Sequence, residues 1–83
     1  MASETQHRFA ALIAQAELGE RLKRECRRKG VKITAVERAM GLGPSVLSHY
    51  LRGGRPWVAG LEDFEQRVRA GIERAIAERE SAA

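Results

Sequence analysis

The sequence predicts an all-α fold, a small helical bundle of four to five helices that ends in a long C-terminal helix. Three observations predict it. Apolar residues recur at three- and four-residue steps near the N-terminus and again from Leu61 onward, the spacing of one face of a helix. Between these segments, Val36 to Gly53 reads as two short apolar-faced helices meeting at a tight glycine corner. Aromatic residues are few, with Phe9, Tyr50, Trp57 and Phe64 the whole set, so the core is built mainly from Leu, Ile, Val and Ala on helices. At 83 residues the chain is expected to form one domain, residues 1–83, with its core in 18–64. A chain of this size buries only about 60% of its unfolded surface, which leaves no room for a deep substrate pocket.

The first helix is expected to start near Glu4. Ser3 with Gln6 forms a capping-box signature, and Phe9, Leu12, Ile13 and Ala16 follow on one face. The apolar phase slips at Leu18 and Gly19, after which Leu18, Leu22 and Cys26 continue the stripe to Gly30. Gly19 is a weak point, but no proline or turn cluster interrupts the run, so continuity to about Lys29 is favoured over two helices. Gly30 stops it, and Val31 to Ile33 form a bridge. Thr34 with Glu37 makes a second capping box, which starts the next helix at Ala35.

In that helix Val36, Ala39 and Met40 recur at helical spacing, and Gly41 supplies the left-handed conformation of a helix end. Leu42 follows as an apolar plug. Gly43 reads as an N-cap and Pro44 as the first residue of a third helix, where its missing N–H costs nothing. Val46, Leu47, Tyr50 and Leu51 form its apolar stripe, leaving Ser45, Ser48, His49 and Arg52 outside. This is the layout of a helix-turn-helix. The predicted core is Leu22, Val36, Met40, Leu42, Leu47, Leu51 and Phe64.

Gly53-Gly54-Arg55-Pro56 breaks the chain again, and Trp57 beyond it reads as a lid on one end of the core rather than a base-stacking residue. The C-terminal helix spans 61–80, with Leu61, Phe64, Val68, Ile72, Ala75 and Ile76 on one stripe, and Ser81 to Ala83 are expected to be disordered. Its second half looks too long for so small a core. Two resolutions stand nearly level: a homodimer through Ile72, Ala75 and Ile76, or a fold-back that covers Phe9, Leu12 and Ile13.

The charge pattern is more informative than its total of +4. From Arg21 to Trp57 there are ten bases against two acids, whereas residues 1–20 and 58–83 each carry a net −2. The basic block therefore coincides with the corner and the helix leading into it, as a nucleic-acid footprint would. A single cysteine, Cys26, excludes an internal disulfide, and its spacing from Leu22 marks it as a small buried hydrophobe. His7 and His49 have no further ligand at metal spacing, so neither metal nor cofactor is expected. No catalytic constellation is visible, so the chain is not expected to be an enzyme. Without an apolar run of roughly 20 residues or a signal-peptide pattern, a cytoplasmic location with no membrane contact is expected.

Over Leu18 to about Leu61 the sequence resembles the lambda-repressor-like (Cro/C1 type) helix-turn-helix family. The resemblance rests on LGERLKRECRRKG followed by VERAMGLGPSVLSHYLRGG, with Gly30, Val36, Gly41-Leu42, Ser45-Val46-Leu47-Ser48 and Arg52-Gly53 at the family's offsets. SVLSHYLRGG, with Leu61-Glu62 after it, is also similar to the N-terminal DNA-binding domain of phage Mu B-type transposition proteins. Three departures stand out. Glu37 occupies a place the family gives to a small buried residue, and Ile33 one it gives to a polar DNA contact. The outward face of the third helix also lacks the Arg, Asn or Gln that read bases in pairs of hydrogen bonds.

These observations converge on a module that binds double-stranded DNA with weak or modest sequence specificity, in transposition or in phage-type transcriptional repression. Pro44, Ser45, Ser48 and His49 would lie in the major groove, with Lys32, Arg38, Arg52 and Arg55 on phosphates. The competing class is a helical protein-interaction module that offers its basic face to an acidic partner.

Overall fold

A computed structural model describes residues 3–82, with side chains from Arg8 onward. Among these residues there are four helices and no strand: α1 (Ser3–Lys29), α2 (Ile33–Ala39), α3 (Val46–Leu51) and α4 (Leu61–Ala82). The all-α expectation holds. The side chains of the Ser3/Gln6 capping box lie outside the described residues.

α1 runs unbroken through Gly19, and the glycine is there for a reason other than flexibility. A Cβ at position 19 would lie 1.9 Å from the Leu51 carbonyl oxygen, so the missing side chain is what lets α1 and α3 cross backbone to backbone. The helix ends at Gly30, at φ 66°, where the Val31 N–H donates to the Cys26 carbonyl (2.9 Å) and the Gly30 N–H to that of Arg27 (3.2 Å). This double bond pattern satisfies carbonyls that a helix end leaves free. α2 ends the same way: Gly41 sits at φ 74°, with Leu42 N–H on the Glu37 carbonyl and Gly41 N–H on that of Arg38, both at 3.0 Å.

Three boundaries differ from expectation. α2 begins at Ile33, two residues early, with Lys32 at its N-cap and no side-chain cap bond. The Thr34–Glu37 capping box does not form, because the Glu37 carboxylate is committed to the start of α3. α3 begins at Val46 rather than Pro44; Pro44 lies in the preceding turn, and Ser45, at φ 66°, is the N-cap in place of Gly43. Finally, α4 continues through Ser81 and Ala82, where disorder was expected.

The core gathers Leu18, Leu22 and Cys26 from α1, Val36 from α2, Leu47 and Leu51 from α3, and Phe64, Val68, Ile72 and Ala75 from α4. Five of the predicted core residues are buried, and Met40 and Leu42 pack against them half-buried. Trp57 closes one end, its ring centroid 4.9 Å from Tyr50 and 5.1 Å from Phe64, with its indole N–H donating to Asp63 at 2.8 Å. The lid reading is therefore the right one. Cys26 is buried, and desolvation, reinforced by the Glu25 charge, pushes its thiol above the usual range.

α4 has no overhang. α2 docks at the middle of α4, where Gly71 admits Met40 and Val36; a Cβ there would meet Met40 Cγ at 2.7 Å. Ile72 is 0% exposed and Ala75 6%, and Ile76 packs half-buried against the core, so the strip expected to form a homodimer through the C-terminal helix is engaged within the protomer. Nor does α4 fold back over the start of α1: Phe9 is 65% and Ile13 56% exposed. No described helix is long and apolar enough to cross a membrane.

Leu47 joins the corner to this core. Leu47→Ala is expected to cost about 2 to 5 kcal/mol, the range for emptying a packed leucine site. A urea midpoint equal to wild type would contradict the placement.

Candidate nucleic-acid interface

The interface is organised by one buried acid. Glu37 sits on the inward side of α2, and its carboxylate spans the corner: Oε1 accepts the Ser45 N–H at 3.1 Å and Oε2 the Leu47 N–H at 2.8 Å. Both donors belong to the first turn of α3, where backbone N–H groups have no helical acceptor. A negative charge there is also favoured by the helix dipole. Glu37 thus caps α3 from the preceding helix and fixes the angle between the two. This explains an acid where the resembled family carries a small residue.

Of the residues expected to lie in the groove, Pro44, Ser45 and His49 are exposed on the turn and outer face of α3, and Ser48 is half-buried. Pro44, Ser45, Val46, His49, Arg52 and Arg55 line one shallow depression. The structure therefore brings together five of the eight residues expected to touch DNA. Ser48 lies off it. Lys32 lines a second depression beside Lys23, Arg27 and Thr34, at the N-terminal end of α2, and Arg38 is exposed near the end of that helix.

The loop after α3 is held by Gln15, a residue that sequence reasoning missed. Its side-chain amide is 3% exposed and makes three bonds: Nε2 donates to the Tyr50 carbonyl (2.7 Å) and the Arg55 carbonyl (2.8 Å), while Oε1 accepts the Trp57 N–H (2.9 Å). A signal was present, since Gln15 stands three residues from both Leu12 and Leu18 on the inward stripe. A polar group there needs partners. The turn itself sits close on its neighbours: a Cβ on Gly53 would lie 2.6 Å from the Leu12 carbonyl, and one on Gly54 3.1 Å from the His49 ring. Arg55 projects from this loop with its guanidinium 5.8 Å from the Tyr50 ring centroid.

Charge completes the picture. Ion pairs tie Lys23 to Glu20, Lys29 to Glu25 and Glu73, Arg67 to Asp63, Arg69 to Glu25 and Glu65, and Arg74 to Glu78. Hydrogen bonds that the Lys29 ammonium donates to the Glu73 and Glu25 carboxylates raise its pKa above the ordinary value. Lys32, Arg38, Arg52 and Arg55 pair with no described carboxylate. The acids of α4 thus pair with Lys29, Arg67, Arg69 and Arg74, and leave the bases around the corner uncompensated, as they do Arg21, Arg24 and Arg28 of α1. No group of three or more His, Cys, Asp or Glu side chains among the described residues could hold a metal ion.

Comparison with curated proteins and with solved structures gave no match. Comparison with protein families matched the model of a helix-turn-helix domain over residues 17–75, which takes in the second half of α1, the corner, α3, the Gln15-held loop and most of α4. By that match, and by the corner that carries it, the chain belongs to the helix-turn-helix domain family.

Proposed function

We propose that the chain is a cytoplasmic module, not an enzyme, that binds double-stranded DNA, with the turn and outer face of α3 in the major groove and the surrounding bases on phosphates. The observation that carries the reading is the pair Arg52 and Arg55, exposed, free of described carboxylates, and lining the same depression as Pro44, Ser45 and His49. Lys32 and Arg38 extend the contact along α2. Affinity comes chiefly from phosphate neutralisation, which positions a protein without reading sequence. Ser45, Ser48 and His49 supply single hydrogen bonds at most, so specificity is weak or modest. The use is in DNA transposition or in phage-type repression, as for the lambda-repressor-like and Mu B-type domains that the sequence resembles. The shortage of base-reading side chains favours the first.

Fluorescence anisotropy with a short duplex, repeated across salt concentrations, tests this reading. Arg52→Ala and Arg55→Ala are expected to weaken binding about equally on all sequences, and each to lower the salt slope by about one. Ser48→Ala and His49→Ala are expected to have smaller effects that vary with sequence. Equal wild-type affinity at about 50 and 200 mM salt would overturn the mechanism, because counterion release requires a steep fall.

A further inference from the structure

The basic block contains more positive charge than the corner uses. Arg21, Arg24, Arg27 and Arg28 are exposed on α1 and, with Glu25 and Arg69, line a surface basin of their own. At 3.6 residues per turn, Arg21, Arg24 and Arg28 lie about 140–200° around α1 from Gly19, the residue that meets α3. They face away from the corner. The acids beside them are already engaged, Glu25 by Arg69 and Lys29, Glu65 by Arg69 and Glu73 by Lys29. Glu17, one turn before Arg21, makes no ion pair with it. Arg21 with Arg24, and Arg24 with Arg28, repel one another at three- and four-residue spacing, so the stripe costs the helix a little stability and contributes nothing to its core.

We infer that this basin is a second phosphate-binding face, which takes the backbone of another duplex while α3 holds the first. The proposal rests on the DNA-binding reading and deepens it: one protomer bridges two DNA segments. Arg21 to Arg28 spans about 10 Å along the helix, the axial length of about three phosphates on one strand. Guanidinium groups suit phosphate oxygens because their planar fork donates two bonds at once. An acidic protein segment fits less well, since the basin has no apolar or aromatic residue in its lining to anchor it.

The test uses the full chain, a bead-bound duplex of about 30 base pairs and a free fluorescent duplex of the same length, at about 100 mM salt. Wild type is expected to capture the fluorescent duplex on the beads. The triple variant Arg21→Gln/Arg24→Gln/Arg28→Gln is expected to lower that capture at least about tenfold, while its affinity for a single duplex by anisotropy changes less than about threefold. Loss of single-duplex binding by wild type would instead sink the DNA-binding reading itself. Single-duplex binding without capture, or capture unchanged in the triple variant, overturns the second face. So does a polyglutamate peptide that binds wild type and not the triple variant when no second duplex is captured, which would give the basin to an acidic protein.

Discussion

Gly19→Ala is expected to destabilise the domain by about 2 kcal/mol or more, although helix propensity alone favours alanine by about 1 kcal/mol. The sign is decided by what the new Cβ meets. It would lie 1.9 Å from the Leu51 carbonyl oxygen and 2.7 Å from its carbon, and both are backbone atoms that no rotamer change can move. α1 and α3 must separate by more than an ångström, loosening Leu18, Leu22, Leu47 and Leu51 together. Gly43→Ala is the matched control, because its Cβ would touch only Val46 Cγ2 at 3.7 Å. Urea unfolding of both variants gives the answer. A Gly19→Ala midpoint at or above wild type would mean that the helices do not cross as described.

Removing the Glu37 carboxylate is the second large effect. Glu37→Ala leaves the Ser45 and Leu47 N–H groups without an acceptor, one of them buried, and opens a gap between α2 and α3. Hydrogen bonds to a charged group contribute about 1.5 to 3 kcal/mol each, and an unpaired buried donor costs a similar amount, so a loss of about 3 kcal/mol is expected. Glu37→Gln is expected to recover only part of this, since each carboxylate oxygen serves one N–H and an amide has a single oxygen. Recovery by Gln to the wild-type midpoint would show that neither the charge nor the second oxygen matters. DNA affinity is expected to fall with the Ala variant even under folded conditions, because the first turn of α3 carries the exposed groove-facing residues.

Much of this could be read from the sequence, because the signals were local. Periodicity placed α1 and α4, and Gly30, Gly41 and Gly53 each mark a left-handed helix end. Arg52 and Arg55 stood out from the local charge. What could not be read depends on neighbours distant in the chain. Pro44 after Gly43 has the same appearance whether the proline opens a helix or sits in a turn, and the choice is made by the Glu37 side chain arriving from α2. Glu37 itself fits a capping box until α3 is set beside it. Gly19 reads as a weakness until Leu51 lies over it. The second half of α4 reads as surplus length until α2 lies against Gly71, which engages an apparent dimer strip within the protomer.

The central claim, that the corner and α3 form the face that meets DNA, is tested most directly by backbone amide NMR during titration with one equivalent of a short duplex. The largest shift changes are expected at Ser45, Ser48, His49, Arg52 and Arg55, with smaller ones at Lys32 and Arg38, all of them reversed by added salt. Changes confined to α4, with those seven amides unmoved, would contradict it.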